Sequence, residues 1–253
     1  MEQIIPIAQS VGDEVMRYYR TRFKITQKDR WSFYSDVDRI SQKMLQEKLQ
    51  KLIPGSGIIA EELELYDKKP FTWVIDPIDG TRNFVRGMPY FGISVALMEL
   101  NELVAAVVYM PAMHDMVAAQ KGMGTWLNGK KIIIDPQRYH QAGALIVTAA
   151  GRLGKTELSS RIKNVLASID AGVRFRVCGA AAVDLAYAAI GVYDAVLFEN
   201  LKWWDAAAGI LLVSEAGGHV SNYQNNAIDE SFKTLIAGNQ EICGKILVTG
   251  ILK

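Results

Sequence analysis

The chain has 253 residues, half of them hydrophobic, which is enough to bury a large core in one domain or in two joined lobes. Its 28 basic and 27 acidic residues leave a formal net charge of +1, which gives no support for a nucleic-acid groove or a polybasic membrane contact. Its two cysteines fit neither a metal motif nor a disulfide framework, so we expect a reducing cytoplasm.

The sequence also predicts no membrane span. Its longest apolar run, Leu103–Met113, is too short to cross a bilayer and contains Pro111. The first residues lack the apolar stretch of a signal peptide, because Asp13 and Glu14 soon follow Ile4–Ile7. We therefore expect a soluble protein.

The chain begins with two segments of helical periodicity. Apolar residues recur at helical spacing in Glu2–Tyr19 and again in Arg39–Leu52, so each segment predicts an amphipathic helix. The polar segment Thr26–Ser35 between them predicts a loop. Ser35-Asp36-Val37-Asp38 leads into the second helix, where capping would explain Asp38 as readily as a functional role.

The next segments predict two strands. Gly57–Ala60 is a brief strand, and it is followed by Glu61-Glu62, adjacent acids that solvation alone would explain. Phe71–Ile75 is an apolar run rich in aromatic and β-branched residues, so it predicts a buried strand that ends before Asp76-Pro77.

The segment after this strand, Asp76-Pro77-Ile78-Asp79-Gly80, carries the chemistry of interest. Its two carboxylates leave the strand end three residues apart, and Thr81 can begin a helix directly afterwards. Acids at a strand end beside the free N–H groups of a helix start suit a divalent cation and a phosphate. The same composition also fits an ordinary turn.

The remaining elements divide the chain into two predicted parts. Phe91–Tyr109 predicts two antiparallel strands, Met116–Gln120 continues the sheet, and Asn128-Gly129 predicts a hairpin, so residues 1–135 form an α+β lobe. Residues 136–253 alternate strands and helices, which predicts an α/β lobe. Its elements are strands at 144–148, 173–177, 194–198, 219–221 and 234–237 and helices at 157–169, 180–190, 204–215 and 241–251.

Three segments, taken together in this order, resemble the inositol monophosphatase family. They read AEE at 60–62, DPIDGTRNF at 76–84 and WDAAAGILLVSEAGG at 204–218, and the resemblance covers nearly the whole chain. It implies the layered αβαβα sandwich of the sugar phosphatases, an assembly as a homodimer, inhibition by lithium, and hydrolysis of a small phosphorylated polyol or sugar.

The resemblance also implies roles for individual residues. The implied metal ligands, for two or three Mg²⁺ ions, are Glu61, Asp76, the carbonyl of Ile78, Asp79 and Asp205. The implied catalytic residues are Glu61 and Thr81, which orient the attacking water, and Asp38, which hydrogen-bonds the threonine. The implied substrate contacts are Ile78, Asp79, Gly80, Thr81, Gly179, Ala180, Ala181, Glu199 and Asp205.

The sequence departs from the family pattern in two notable places. Ala60 replaces a glycine, and Phe198 stands seven residues before Asp205, where the family has an inositol-contacting glutamate. Glu199 is displaced by one, and a strand residue moved by one position faces the other way unless a bulge intervenes.

Several functions remain compatible with these residues. Inositol 1-monophosphate is the first candidate substrate, and the alternatives are fructose 1,6-bisphosphate, histidinol phosphate or a 3′-phosphonucleotide. A different class is a regulatory binding protein of transcription or RNA processing.

Overall fold

The computed structural model describes residues 1–27, 33–61, 68–137, 143–148 and 172–248. The helices in these ranges are α1 (Ile4–Tyr18), α2 (Asp36–Leu52), α3 (Thr81–Val85), α4 (Ala181–Ala189), α5 (Trp203–Glu215) and α6 (Gln240–Val248). The strands are β1 (Ile25–Gln27), β2 (Phe33–Ser35), β3 (Gly57–Ala60), β4 (Phe71–Asp79), β5 (Gly92–Glu99), β6 (Glu102–Met110), β7 (Asp115–Gln120), β8 (Gly124–Leu127), β9 (Lys130–Ile132), β10 (Ala144–Thr148), β11 (Val173–Arg176), β12 (Ala195–Glu199), β13 (His219–Ser221) and β14 (Thr234–Gly238).

The larger sheet contains seven strands in the order β3-β4-β5-β6-β7-β8-β9. Only its first pair, β3 and β4, is parallel, and every later neighbour is antiparallel. Short connections make this meander possible. At the β8–β9 turn Asn128 and Gly129 both have positive φ, 49° and 80°, as the predicted two-residue hairpin requires.

The smaller sheet contains five strands in the order β11-β10-β12-β14-β13. Strand β10 runs parallel to β11 and β12, whereas β14 pairs antiparallel with β12 and β13. Helix α5 reaches the larger sheet as well, since it packs against β6 and β4. The proposed division at residue 135 stays a prediction, although the larger sheet ends at Ile132 and the smaller begins at Ala144.

Three hydrophobic clusters hold the layers together. One joins α1 and α2 to one face of the larger sheet, around Trp73 and Phe91. The second fills the space between the two sheets around α4 and α5, and Phe198 belongs to it. The third packs α6 against the outer face of the smaller sheet through Ile242 and Ile246. The sequence of layers is the predicted αβαβα sandwich, which is confirmed.

Two local predictions were wrong in part. Strand β4 does not end at Ile75 but continues through Pro77 to Asp79, because its partner β5 keeps pairing beyond a register shift between Asp76 and Asp79. A bulge accommodates a proline that a regular ladder would reject. The predicted loop Thr26–Ser35 contains all but the first residue of the antiparallel strand pair β1 and β2.

Two further predictions concern helices. The expected helix at 157–169 lies outside the described residues. Helix α2 begins at Asp36, three residues earlier than predicted, because the capping side chain is Ser35.

No helix within the described ranges has the length and hydrophobicity needed to cross a membrane.

Candidate active site

The start of α2 holds Asp38 in a fixed orientation. Ser35 caps the helix, and its N–H donates to Asp38 Oδ2 at 2.7 Å while the Asp38 N–H donates back to the serine hydroxyl. This reciprocal capping box satisfies helix-terminal donors on both sides. It also leaves Asp38 Oδ1 to accept from the Thr81 hydroxyl at 2.9 Å. The capping role and the predicted functional role of Asp38 therefore coexist.

The Thr81 hydroxyl lies between two acceptors. Its oxygen is 2.9 Å from Asp38 Oδ1 and 3.0 Å from the carbonyl oxygen of Ile78. Since a hydroxyl has one hydrogen and two lone pairs, donation to either acceptor leaves a lone pair that can accept a hydrogen bond from a water. Thr81 is thus arranged to orient a water molecule.

The β4 bulge carries the two central carboxylates. Asp76 and Asp79 are only 2% and 5% exposed. Asp76 Oδ1 accepts from the N–H of Ile78 at 3.0 Å. Asp79 accepts from the N–H groups of Ala181 and Val183, both at 3.0 Å, where the first turn of α4 has donors without intrahelical partners. The structure therefore brings the 76–81 and 179–183 segments together.

Four of the other predicted acids lie near enough to Asp76 to repel its charge. Burial raises the pKa of Asp76 well above its usual range, and the nearby carboxylates of Glu61, Asp79, Asp205 and Asp38 raise it further. Burial also raises the pKa of Asp79, and Asp205 adds to the rise while the N–H groups from α4 oppose it. Within the described ranges no lysine or arginine forms an ion pair with Asp76 or Asp79.

This donor set fits a hard divalent cation. Its members offer carboxylate and carbonyl oxygens, the ligands that Mg²⁺ prefers, and among the described residues neither Asp76 nor Asp79 has a cationic partner. No three His, Cys, Asp or Glu side chains among the described residues already stand in the geometry of a metal cluster. Each Asp79 oxygen accepts one N–H from the start of α4 and keeps a second lone pair that a cation could take.

Gly80 makes the turn between β4 and α3 possible. Its φ is +83°, and a Cβ at this position would lie 2.9 Å from the Cβ of Ala180 and 3.1 Å from the carbonyl oxygen of Tyr90. Any larger residue would push this turn away from the 179–181 segment. The backbone N–H groups of Gly80 and Thr81 can then approach a phosphate closely.

Asn83 is a residue of this site that the sequence reasoning missed. Its side-chain nitrogen donates to the carbonyl oxygens of Tyr90 at 2.8 Å and Cys178 at 2.9 Å. It thereby ties α3 to the segment that precedes α4. In the sequence, only the position of Asn83 inside the 76–84 motif could have indicated that it belongs to the site.

Glu199 lies at the end of β12, before α5, and Asp205 lies in the first turn of α5. Asp205 Oδ2 accepts from the N–H of Lys202 at 2.9 Å, which fixes the acid at the helix start. Strand β12 pairs with β14 in unbroken register, so no bulge turns Glu199 onto the face of Phe198. Phe198 belongs to the core between the sheets, and Glu199 therefore projects from the opposite face. The substrate contact of Glu199 stays a prediction.

Buried carboxylates stand beside a glycine turn and a helix start in a five-layer sandwich, and together with the family match and the relatives given next they define the chain as a phosphoric monoester hydrolase. Residues 1–249 match the model of the inositol monophosphatase family. The chain belongs to this family, whose members act on phosphorylated substrates.

Individual relatives agree with this assignment. The chain is 35% identical over 223 residues to a Nus factor SuhB of Xylella fastidiosa, covering 87% of this chain and 81% of that protein. It is 33% identical over 234 residues to an inositol-1-monophosphatase of Caulobacter vibrioides, covering 90% of each. The crystal structure of the extragenic suppressor protein suhB of Bartonella henselae matches with a TM-score of 0.90 and 32% identity, covering 99% of this chain and 97% of that one.

Proposed function

We propose that this chain hydrolyses a small phosphate monoester, inositol 1-monophosphate first among the candidates, as a Mg²⁺-dependent homodimer of the cytoplasm. The observation that carries the proposal is the buried pair Asp76 and Asp79, whose pKa values are raised by burial and by further carboxylates around them. A protein retains such a repulsive group only where something compensates it. The Caulobacter relative named an inositol-1-monophosphatase supports the choice of substrate.

The proposed ligands form two overlapping sets. Glu61, Asp76 and the carbonyl oxygen of Ile78 would hold one Mg²⁺. Asp76 would also bind a second Mg²⁺, together with Asp79 and Asp205. When bound, the cations would polarise the phosphoryl group and lower the pKa of a water. The protein itself contributes rigid placement, because β4 and α4 fix Asp79 and α5 fixes Asp205.

The attacking water would be oriented by the link between α2 and α3. Asp38 accepts from the Thr81 hydroxyl, so the free lone pair of Thr81 can accept one hydrogen of that water. Glu61, at the end of β3, is the proposed acceptor of the other hydrogen. Neither cysteine nor histidine has a part in this scheme.

The phosphate would be gripped by the turn at Gly80. The N–H groups of Gly80 and Thr81 would donate to its oxygens, as the positive end of α3 favours an anion. The alcohol would then face Asp79, Ala181 and Asp205, and Gly179, Ala180 and Glu199 are further proposed contacts. The backbone turns at Gly80 and Gly179, with φ of 83° and 80°, would allow this close approach.

Phosphate release from a substrate panel tests the proposal. The panel contains inositol 1-monophosphate, fructose 1,6-bisphosphate, histidinol phosphate and 3′-phosphoadenosine 5′-phosphate, each with Mg²⁺ and with EDTA. We expect hydrolysis only with Mg²⁺ and the highest kcat/KM for the inositol ester. Asp36→Asn is a matched control for acid removal, since Asp36 is exposed at the start of α2. No turnover of any panel member would overturn the proposal.

A second candidate function is supported by the Xylella relative, which is named Nus factor SuhB. The chain would then bind components of transcription or RNA processing, with or without turnover. Asp76→Asn separates the two functions, because it removes a proposed metal ligand and leaves the outer surface unchanged. Binding to purified transcription components that survives in this variant would support the second function, and absence of binding in the unmodified protein would exclude it.

A further inference from the structure

A buried polar group lies directly behind the candidate site. Asp184 on α4 is 1% exposed, and its Oδ1 accepts from the Tyr90 hydroxyl. The Tyr90 hydroxyl also lies 3.1 Å from the hydroxyl of Tyr193. Burial raises the pKa of Asp184 to about 7, and the Tyr90 hydrogen bond opposes this rise. The hydrolytic scheme makes no use of this carboxyl, although burying it is costly.

The backbone of Tyr90 connects this group to the phosphate turn. Its carbonyl oxygen accepts from the Asn83 side chain at 2.8 Å. The N–H of Asn83 in turn donates to the carbonyl oxygen of Gly80 at 2.8 Å. The Tyr90 side chain thus reaches α4 while its backbone is held to the turn at the start of α3.

The other side of Asp184 connects to the carboxylate of Asp79. Asp184 follows Val183, whose N–H donates to Asp79 at 3.0 Å, and its own N–H donates to the carbonyl oxygen of Ala180 at 2.9 Å. Any slide of α4 that moved Asp184 would therefore move the donors that hold Asp79. The bonds close a ring through Asp79, Gly80, Asn83, Tyr90, Asp184 and the first turn of α4.

We propose that Tyr90 and Asp184 are a positioning pair, whose hydrogen bond fixes α4 against the Gly80 turn and so orients Asp79 for metal binding. The inference rests on the proposed function, because Asp79 is a metal ligand only within it. Groups that orient a ligand from outside the coordination shell commonly change metal affinity or activity by about 10–100-fold when they are removed.

Tyr90→Phe is the direct test, and Tyr187→Phe is its matched control. Tyr187 lies on α4 itself, its ring is 5.9 Å from that of Tyr90, and its hydroxyl bonds to Met113 and Asp115 outside the ring of contacts. We expect Tyr90→Phe to raise the Mg²⁺ concentration for half-maximal hydrolysis about tenfold, with a smaller change in substrate KM. Tyr187→Phe should leave both values unchanged.

Direct metal binding separates this inference from the proposed function. Mn²⁺ binding, followed by the electron paramagnetic resonance signal of free Mn²⁺, needs no substrate. A tenfold loss of Mn²⁺ affinity in Tyr90→Phe would support the positioning role of Tyr90 and Asp184, whether or not any panel substrate is hydrolysed. Failure to hydrolyse the panel would count against the proposed function alone. Equal Mn²⁺ affinity in Tyr90→Phe and the unmodified protein would overturn the pair, and so would an equal loss in Tyr187→Phe.

Two substitutions of Asp184 decide the matter if Tyr90→Phe does not fold. Asp184→Asn keeps an oxygen that can accept from Tyr90, whereas Asp184→Ala removes it. We expect Mn²⁺ affinity within about twofold of the unmodified protein for the asparagine variant and about tenfold weaker for the alanine variant. Equal affinities for the two variants, or an alanine variant that binds normally, would rule out a positioning role.

Discussion

The Thr81 hydroxyl donates to Asp38 Oδ1 at 2.9 Å, across 43 residues of sequence, and so joins the start of α3 to the start of α2. Asp38 is completely buried, and its other oxygen accepts from the N–H of Ser35. The link has no need of long side chains, because both groups are already held by helix termini. It places the threonine hydroxyl, and any water that it orients, at a fixed point beside the β4 bulge.

Thr81→Ala should lower kcat about 10²–10³-fold, because the hydroxyl that orients the water is lost while the phosphate-binding N–H groups remain. Steady-state hydrolysis of inositol 1-monophosphate would measure it. Thr81→Ser keeps the hydroxyl and should retain most of the activity. Equal losses in the alanine and serine variants would mean that the hydroxyl has no part in the reaction.

Asp76→Asn should lower the rate of phosphate release at least about a hundredfold, because the residue is proposed to ligate two cations. The substitution also removes a buried charge whose pKa is raised by burial and neighbouring acids, so the metal-free variant should melt at a higher temperature than the unmodified protein. Activity assays and thermal unfolding in EDTA would check both effects. Near-normal turnover by the folded variant is incompatible with the proposed site.

Gly80→Ala should abolish activity and destabilise the fold. An alanine at φ +83° costs about 1–2 kcal/mol, and its Cβ would also meet the Cβ of Ala180 at 2.9 Å. Gly217→Ala is the matched control, since Gly217 has φ +80° with nothing within 4 Å of an added Cβ. Urea unfolding should show a larger loss for Gly80→Ala, and only this variant should lose hydrolysis.

The stability of the metal-free protein should fall as the pH rises. The folded pKa of Asp184 is raised to about 7 by burial, so its contribution to stability is complete below its unfolded pKa of about 4 and is lost as the pH passes through about 7. Asp184→Asn cannot titrate and should show a shallower fall of melting temperature over this range in EDTA. The other buried acids are common to both proteins, so the difference between the two curves reports Asp184 together with its repulsion of Asp79. Parallel curves would show that this carboxyl does not titrate as its burial requires.

The chemistry of the site could be read from contiguous residues. Asp76, Asp79, Gly80 and Thr81 stand close together in one segment, and their residue types already specify oxygen ligands and an anion-binding turn. The layered sandwich also followed from the resemblance and is confirmed. The local path of the chain could not be predicted from the sequence. Strand β4 continues to Asp79 because β5 continues to pair with it, and the sequence of a strand does not specify its pairing partner.

Residue type sets charge, hardness and hydrogen-bonding capacity, so the order of amino acids already specifies which polar groups this protein can offer. Which of these groups meet depends on how the elements pack. Val183 and Asp79 are 104 positions apart, and Tyr90 and Asp184 are 94 apart, yet each pair is joined by a hydrogen bond. Such contacts arise from the packing of α4 between two sheets, a relationship between whole elements that leaves no periodic or spaced signal along the chain.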